Sequence, residues 1–363
     1  MSIVRMIVLL CLSVAGIIST SADYHAQAAF WSCPNGFAGQ TLNVYNWTTY
    51  IAEDTISNFE RICDVTVVYN TYASDSDMLE ELRQGNPGYD VVVPGNSTVN
   101  LMLEENLIQP IDFSNFKNKD NISSDFLNPP YDPEGRYTVP YQWGTIGVGY
   151  NRTAVGHDIT SWEDVFNYTG RVAWLDEYRA MLGFALLMQG DDPNTDDSAK
   201  ITAASQYLQT HSANLIEIAP DSGQDLLANR QADIVIEYSG DIFQVIAGCE
   251  CDDFRYVIPD EGAQVWTDSL AIPVGAPNKR LAEVFIDYML NAQVSADISN
   301  YTAYASPNGT AITEGLVNDE YLNNPAIYPP SEVVDNLFYN VADASLEERY
   351  SSVWDALRAS INR

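Results

Sequence analysis

The segment YDVVVPG, residues 89–95, is the feature that most limits what this chain can fold into. Its three consecutive valines show no polar alternation, which is typical of a strand buried on both faces of a parallel sheet. Two strand-like segments precede it, TLNVYNW and DVTVVYNTY, and a helix-like segment follows each of them. The second helix has Ser74 as its expected cap and Gly85 as its expected end. This β-α-β-α-β order predicts an α/β fold with helices on both faces of a parallel sheet.

A second α/β pattern begins after YTVPYQWGTIGVGYN, residues 137–151. It contains the strand-like segments RVAWLDE and ADIVIEYSGD, two further strands in FRYVIPDEGAQVWTDSLAIPV, and helix-like YRAMLGFALLMQG. The segment KRLAEVFIDYMLNAQVSADIS predicts a single long amphipathic helix. The first pattern ends near residue 142, so we expect two lobes. Because no flexible linker separates them, strands that cross between the lobes should form a hinge.

The N-terminus has the features of a secretory signal peptide. Arg5 precedes the short apolar run MIVLLCLSVAGII, which is too short to span a bilayer comfortably. The segment AQAA offers a cleavage site after Ala28, which predicts a signal peptide over residues 1–28 and an exported mature protein. A signal anchor is the alternative. No later segment has the pattern of a membrane-spanning helix.

Four cysteines remain once Cys11 of the signal peptide is set aside, and an even number in an oxidising compartment predicts disulfides. Cys33 precedes the first strand and Cys63 ends the first helix, so we expect these two to pair. Cys249 and Cys251 would then either pair with each other or stay reduced. A zinc site is the alternative, although the usual C-x-x-C spacing and a nearby histidine are missing.

Aromatic and acidic residues cluster where the predicted strands end. Ligands of open α/β sheets bind beyond the carboxyl ends of the strands, so these residues should form two rims. The rims would hold Trp47, Tyr50, Thr71, Tyr72, Gly95, Asn96 and Ser97 on one side and Asp176, Glu177, Tyr238, Asp241, Trp266 and Asp268 on the other. Aromatic faces attract ammonium groups and carboxylates anchor them, so the rims predict a clamp for an organic cation. The alternatives are core packing of the aromatics and helix capping by Asp176 or Asp241.

The net charge of -33 bears on the class of ligand. It argues against nucleic acid, whose phosphates would be repelled, and it favours a cation. A general role in solubility or in a salty habitat would explain the charge equally well.

Catalysis is not expected. His25 belongs to the signal peptide, which leaves His157 and His211, and the sequence shows no set of nucleophile, base and orienting residue around them. We therefore expect no enzymatic activity, no cofactor and no metal. An anion-binding protein would need basic residues and helix N-termini at the rim, where Asp241 and Asp268 stand instead. A purely structural exported protein, which would bind no ligand, is a further alternative.

Six segments in order carry a resemblance to a known family. They are YNWTTYIAEDTISNFE, TYASDSDMLEEL, YDVVVPGNS, VPYQWGTIGVGYN, WTDSLAIPVGAPNK and PAIYPPSEV. Together they resemble the bacterial periplasmic polyamine-binding proteins, the spermidine- and putrescine-binding components of ABC transporters. The resemblance implies a type II periplasmic binding protein fold, with one lobe at 41–142 and 268–305 and the other at 143–267 and 306–363. It also implies a periplasmic monomer whose partners are a polyamine and a membrane permease, and not nucleic acid.

The resemblance also implies a set of ligand-binding residues. Trp47 would pack against ligand methylenes, Asp268 would be the central ammonium partner, and Asp241 would be the acid of a Gly-Asp pair. The full set is Trp47, Thr48, Thr49, Tyr50, Gly95, Asn96, Ser97, Glu177, Tyr238, Asp241, Trp266, Asp268, Tyr304 and Tyr339.

The chain departs from the family pattern at two acids. Thr49 and Ala180 stand where the family often has carboxylates, and Glu177 is the expected compensation. A short diamine, or a ligand with one less basic end such as a guanidino or acylated amine, should therefore fit better than a long triamine. An iron-binding protein of the same fold is the alternative, but such proteins tend to use adjacent tyrosines, and this sequence has no Tyr-Tyr pair.

Overall fold

A computed structural model describes residues 31–72, 74–220, 222–249, 251–340 and 343–361. The predicted signal peptide, residues 1–28, lies outside these ranges. Within them, no helix has both the length and the apolar character needed to cross a membrane.

The strands of the described residues join into one sheet. They are β1 (Thr41–Trp47), β2 (Thr66–Tyr72), β3 (Val91–Val92), β4 (Ile108–Gln109), β5 (Thr138–Asn151), β6 (Val172–Leu175), β7 (Leu215–Ala219), β8 (Ile234–Tyr238), β9 (Phe254–Val257) and β10 (Gln264–Pro273). The strand order is β2-β1-β3-β10-β5-β8-β6-β7, with β4 on β10 and β9 on β5.

The sheet has two parallel flanks with an antiparallel pair between them. Strands β1, β2 and β3 are parallel on one side, and β6, β7 and β8 are parallel on the other. The long strands β5 and β10 run antiparallel between the flanks. The predicted α/β class is confirmed, because each flank is a parallel sheet with helical connections.

Helices connect most of the strands, and several more follow β10. They are α1 (Thr55–Cys63), α2 (Asp75–Arg83), α3 (Asn96–Glu104), α4 (Arg152–Val155), α5 (Trp162–Phe166), α6 (Tyr178–Met188), α7 (Ser198–Thr210), α8 (Gly223–Ala228), α9 (Ser239–Cys249), α10 (Lys279–Met289), α11 (Ala292–Thr302), α12 (Gly309–Thr313), α13 (Asp319–Leu322), α14 (Ser331–Val334) and α15 (Ala344–Ile361). The predicted cap of α2 is confirmed, since Ser74 Oγ accepts a hydrogen bond from the Asp77 amide at 3.2 Å.

The single long helix predicted over residues 279–299 is wrong. The chain forms α10 and α11 instead, with a break at Asn291. The Asn291 side-chain oxygen accepts hydrogen bonds from the amides of Gln293 at 3.1 Å and Val294 at 3.4 Å. This asparagine caps a new helix, because its side chain satisfies amides that have no partner inside the helix.

Three segments meet on one line across the middle of the sheet. Asp268 of β10 is paired with Gln142 of β5, and Thr267 is paired with Trp143. Trp143 also forms an isolated bridge with Ala305. The lobe boundaries predicted at 142/143, 267/268 and 305/306 remain a prediction, and all three positions lie on this line.

The four cysteines of the described residues form two disulfides. The predicted pair Cys33–Cys63 is confirmed and ties the segment before β1 to the end of α1. Cys249 and Cys251 are bonded to each other, so both sulfurs of the alternative zinc site are used in a covalent bond.

The last helix packs on the second flank. Tyr350 of α15 is fully buried, and its hydroxyl donates to the Pro193 carbonyl at 3.0 Å. On the other side of α6, Phe184 stacks on Trp162 with ring centroids 3.9 Å apart. Helix α6 is therefore held between α5 and the C-terminal helix, which brings the first turn of α15 close to the end of β6.

Candidate functional site

A cleft with a cavity volume of about 340 Å³ opens where the parallel strands of both flanks end. The residues after β1, β2 and β3 line one wall, and those after β6, β7 and β8 line the other. This is the edge at which ligands of open α/β sheets bind. Every residue of the predicted ligand-binding set lines the cleft except Tyr339.

Strand β10 supplies the floor of the cleft. Gln264, Trp266 and Asp268 all line it, since alternate residues of a strand point to the same face. Each of these three side chains is more than nine-tenths buried. The bulky indole of Trp266 has room because residue 144 on β5 is glycine, where a Cβ would lie 2.7 Å from a Trp266 ring carbon.

Aromatic rings pack around Trp266. Its ring centroid lies 5.1 Å from that of Tyr304, 6.0 Å from Tyr238 and 6.5 Å from Tyr50. Tyr50 and Tyr304 contact each other edge to face at 5.4 Å. These four residues form what we call the aromatic cluster, and their rings offer faces to methylene and ammonium groups.

Trp47 stands apart from the aromatic cluster at the end of β1. Its indole nitrogen donates to the Val93 carbonyl at 2.9 Å, and its ring packs against Tyr72 at 4.8 Å. The hydrogen bond fixes the indole in one orientation at the cleft wall. Trp47 is only partly buried, so part of its surface is open to the cleft.

The turn after Trp47 forms the mouth of the cleft. Thr48 and Thr49 are exposed, and the Thr48 hydroxyl donates to the Tyr72 carbonyl at 3.3 Å. Thr49 has a φ of 54°, which is unusual for a β-branched residue. Strained backbone of this kind often occurs at ligand-binding positions.

The N-terminus of α3 packs against the floor. The Asn96 side-chain oxygen accepts a hydrogen bond from the Thr267 amide at 3.2 Å, and Asn96 is buried. The neighbours Gly95 and Ser97 line the cleft beside it. Tyr339 lies outside the cleft lining, and its hydroxyl is 3.1 Å from the Thr267 hydroxyl. Its predicted role in ligand binding remains a prediction.

Asp241 is in the first turn of α9, directly after β8. Its Oδ2 accepts a hydrogen bond from the Tyr304 hydroxyl at 2.7 Å. Burial raises the pKa of Asp241 to about 6, although the Tyr304 hydrogen bond acts in the opposite direction. Asp241 therefore sits at one edge of the aromatic cluster as a carboxylate that is poorly solvated when ionised.

Glu177 and Asp176 follow β6 and have different surroundings. Glu177 accepts a hydrogen bond from the Arg179 amide at 3.2 Å, which caps α6, and burial raises its pKa to about 7. The Asp176 oxygens bind Trp354 Nε1 and the Arg358 guanidinium, both at 2.8 Å. Asp176 thus anchors α15. The alternative that Asp176 caps the following helix is wrong, because Glu177 is the N-cap of α6.

Asp268 is the most deeply buried of the cleft acids, with 8% of its surface exposed. Burial raises its pKa well above the ordinary value, and the nearby Asp75 carboxylate raises it further. A positive charge placed close to Asp268 would favour its ionised form and lower its pKa again.

Two features of the cleft were missed by the sequence reasoning. Asp75, the first residue of α2, lines the cleft, and burial raises its pKa to about 6. Arg179 and Glu347, which also line the cleft, form an ion pair at 2.6 Å. Asp75 follows Ser74 in an acidic first turn, which was read only as a helix start. The Arg179–Glu347 pair joins residues far apart in the chain and has no local pattern.

Several buried polar atoms of the lining have no hydrogen-bond partner within the described residues. These atoms are Tyr50 Oη, Asp75 Oδ1, Gln264 Oε1 and Trp266 Nε1. Buried polar atoms are nearly always satisfied by protein, water or ligand. Three of the four can accept hydrogen bonds, so the cleft is suited to a ligand that donates them.

Comparison with known proteins places the chain among solute-binding proteins. The family model for bacterial extracellular solute-binding proteins matches residues 54–329. The putrescine-binding periplasmic protein SpuD of Pseudomonas aeruginosa is 32% identical over 91% of this chain and 91% of its own length. The spermidine/putrescine-binding periplasmic protein of Escherichia coli is 32% identical over 92% of this chain and 96% of its own length.

Solved structures show the same fold. The spermidine/putrescine ABC transporter substrate-binding protein PotD of Streptococcus pneumoniae superposes with a TM-score of 0.79 at 28% identity, covering 89% of this chain and 100% of that protein. The predicted type II periplasmic binding protein fold, with two α/β lobes, is thereby confirmed.

Proposed function

Because the chain belongs to the family of bacterial extracellular solute-binding proteins, we propose that it captures a small polyamine in the cleft between its two lobes. In this proposal it works outside the cytoplasmic membrane, delivers its ligand to the permease of an ABC importer and catalyses no reaction. The polyamine-binding relatives support the ligand class, and they are themselves periplasmic proteins by name.

The balance of charge in the cleft is the observation that carries the proposal. Four lining carboxylates, those of Asp75, Glu177, Asp241 and Asp268, have pKa values raised by burial. Arg179 is the one basic residue in the lining that the structure describes, and it is already paired with Glu347. A dication would supply the missing positive charge, and the aromatic cluster would cover its methylene chain.

The dication would bridge the two walls. Asp268 is on the first-lobe side of the predicted boundary, while Asp241 and Glu177 belong to the second lobe. Ammonium groups at the two ends of one ligand would therefore hold the two lobes together in a closed conformation. Hinged closure of domains around a ligand works in this way.

A ligand with one acylated end is a second candidate. Trp266 Nε1 is a buried donor at the cleft floor without a partner among the described residues. A free polyamine in its protonated form offers no acceptor, whereas an acyl carbonyl does.

A thermal-shift panel tests the ligand class. We expect putrescine, cadaverine, agmatine, spermidine, norspermidine or N-acetylputrescine to raise the unfolding temperature of the exported protein. A ligand present at about 100 times its Kd should add about 2.7 kcal/mol of stability. Butane-1,4-diol, which has the chain of putrescine without its charges, is the control. No shift with any of the cations, or an equal shift with the diol, would contradict the proposal.

Replacing Trp47 and replacing Asp241 should have different effects. Trp47 packs against the ligand chain, whereas Asp241 discriminates between ligands of different length. Trp47→Ala is expected to weaken binding of every diamine by a similar factor, because contacts with methylenes and cation–π attraction depend little on chain length. Asp241→Asn should change the order of preference, because a carboxylate at one end senses where the terminal nitrogen lies. Calorimetric affinities for a series of diamines of increasing length check both. The assignment is wrong if Trp47→Ala reorders the series and Asp241→Asn weakens it uniformly.

A further inference from the structure

The geometry points to Asp75 as a ligand-binding residue: Asp75 and Asp268 together bind one primary ammonium end of the ligand. This inference rests on the proposed function and specifies the group that the first lobe recognises. Asp75 would supply a carboxylate on the first-lobe wall, where Thr49 stands in place of the acid that the family pattern often has.

Asp75 is held in place through one of its two oxygens. Its Oδ2 accepts hydrogen bonds from the Thr98 hydroxyl at 2.6 Å and the Gly95 amide at 3.3 Å. Its Oδ1 is buried and has no partner within the described part of the chain. One oxygen thus orients the carboxylate, and the other remains available as an acceptor on a residue that lines the cleft.

The carboxylates of Asp75 and Asp268 lie on the same side of Gly95. A Cβ at residue 95 would lie 2.9 Å from Asp75 Oδ2 and 3.4 Å from Asp268 Oδ1. The glycine therefore leaves room for both acids to approach the same space. Two carboxylates this close repel each other when ionised, and a cation between them removes the repulsion.

The acceptors in this space match a primary ammonium group. Asp75 Oδ1, the Asp268 carboxylate and Tyr50 Oη provide three acceptors, and an alkylammonium end has three N–H donors. Tyr50 Oη is buried beside Asp268, and burial, followed by the neighbouring Asp268 carboxylate, raises the pKa of this phenol. A secondary ammonium nitrogen has only two N–H donors and would leave one acceptor unsatisfied.

The experiment compares Asp75→Asn with Asp77→Asn by calorimetry, using putrescine and spermidine at pH 8. Asp77 is on the same first turn of α2, and its side chain is exposed. We expect Asp75→Asn to weaken binding by about 10- to 100-fold, because the desolvated ammonium loses one of its two counter-charges. Asp77→Asn should stay within about twofold of the unsubstituted protein, since an exposed charge contributes little.

A second variant separates binding from positioning. Thr98→Val removes the strongest hydrogen bond that orients Asp75 but leaves the carboxylate in the cleft. It should weaken putrescine binding far less than Asp75→Asn does. At pH 8 the empty Asp75→Asn protein should unfold at the same temperature or higher, because a buried charge has been removed. This melting measurement shows that the variant is folded.

The number of protons released on ligand binding also tests the role of Asp75. This number would not change if Asp75 only supported the structure. The groups around Asp75 are Asp268, Glu177, Tyr72 and Thr98. At pH 6 Asp75 is partly protonated in the empty protein and must ionise when the ammonium binds. Calorimetry at pH 6 in two buffers of different ionisation enthalpy measures the protons released when putrescine binds. Asp75→Asn should release fewer of them than the unsubstituted protein.

The possible outcomes distinguish the two proposals. If the unsubstituted protein binds no amine, the proposed function fails and this inference fails with it. If the unsubstituted protein binds putrescine and Asp75→Asn does so equally well, with equal proton release, only the role of Asp75 is overturned. Equal losses in Thr98→Val and Asp75→Asn would also overturn it in favour of a structural role.

Discussion

Asp268→Asn is expected to weaken binding of putrescine and of longer polyamines by about 2–5 kcal/mol, measured by calorimetry at pH 8. Asp268 lies on the floor of the cleft with 8% of its surface exposed, so an ammonium group bound there leaves most of its water behind. The amide has nearly the same shape as the carboxylate but supplies no counter-charge. The bound cation would then be desolvated without full compensation.

The empty Asp268→Asn protein should become more stable than the unsubstituted protein as the pH rises. Burial raises the pKa of Asp268, so the folded state holds a proton that the unfolded state has already released above pH 4. Folding stability therefore falls as the pH increases through this range, and Asn does not titrate. Asp125→Asn, at an exposed position away from the cleft lining, is the control. Undiminished polyamine affinity in Asp268→Asn would refute the assignment.

Arg179→Met is expected to lower the free energy of unfolding by about 3–5 kcal/mol, because it breaks a buried ion pair from one side. The Arg179 guanidinium is 2% exposed, binds Glu347 at 2.6 Å and Asn194 at 2.7 Å, and lies 4.2 Å from the ring centroid of Tyr350. Within the described residues, its loss leaves the Glu347 charge, which lines the cleft, with the Tyr178 hydroxyl at 2.6 Å as its remaining side-chain donor. Denaturant unfolding at neutral pH measures the effect.

Two further variants test this explanation. Arg83→Met removes an exposed pair with Glu105 and should cost at most about 1 kcal/mol. Combining Arg179→Met with Glu347→Met should recover much of the lost stability, since no isolated charge is then left buried. Two results would contradict the role of the buried pair. One is a loss of unfolding free energy in Arg179→Met as small as that in Arg83→Met. The other is a loss in the double variant as large as that in Arg179→Met alone.

The sequence predicted the fold well where local chemistry decides the structure. The valines of β3 and the Ser74 cap of α2 are local signals, and the structure confirms both. The break at Asn291 was missed because the apolar positions of α10 and α11 continue with a helix-like spacing. A side-chain cap can interrupt such a pattern at a single residue, and periodicity does not detect it.

The cleft lining was predictable because the carboxyl ends of parallel strands share an edge. This argument brought Trp47 and Tyr238 together from two strands, and both line the cleft. Asp268 lines the cleft as well, but from the middle of the antiparallel strand β10 and not from a strand end. Asp75 was missed because the direction of its side chain depends on Thr98 and Gly95, which lie on a different element. Tyr339 was taken from the resemblance alone. Its hydroxyl lies 3.1 Å from the Thr267 hydroxyl, and its binding role remains a prediction.

The line where Gln142, Asp268 and Ala305 meet has a mechanical consequence for how ligands would be sorted. When two rigid bodies rotate about an axis, a point moves in proportion to its distance from that axis. Asp268 sits at the predicted pivot, so its grip on an ammonium group would change little as the molecule swings between open and shut. Residues farther out along the second lobe have a long lever arm. The ammonium group would therefore bind Asp268 while the lobes are still open. The length of the ligand would affect binding only when the lobes close and the second-lobe residues reach its other end.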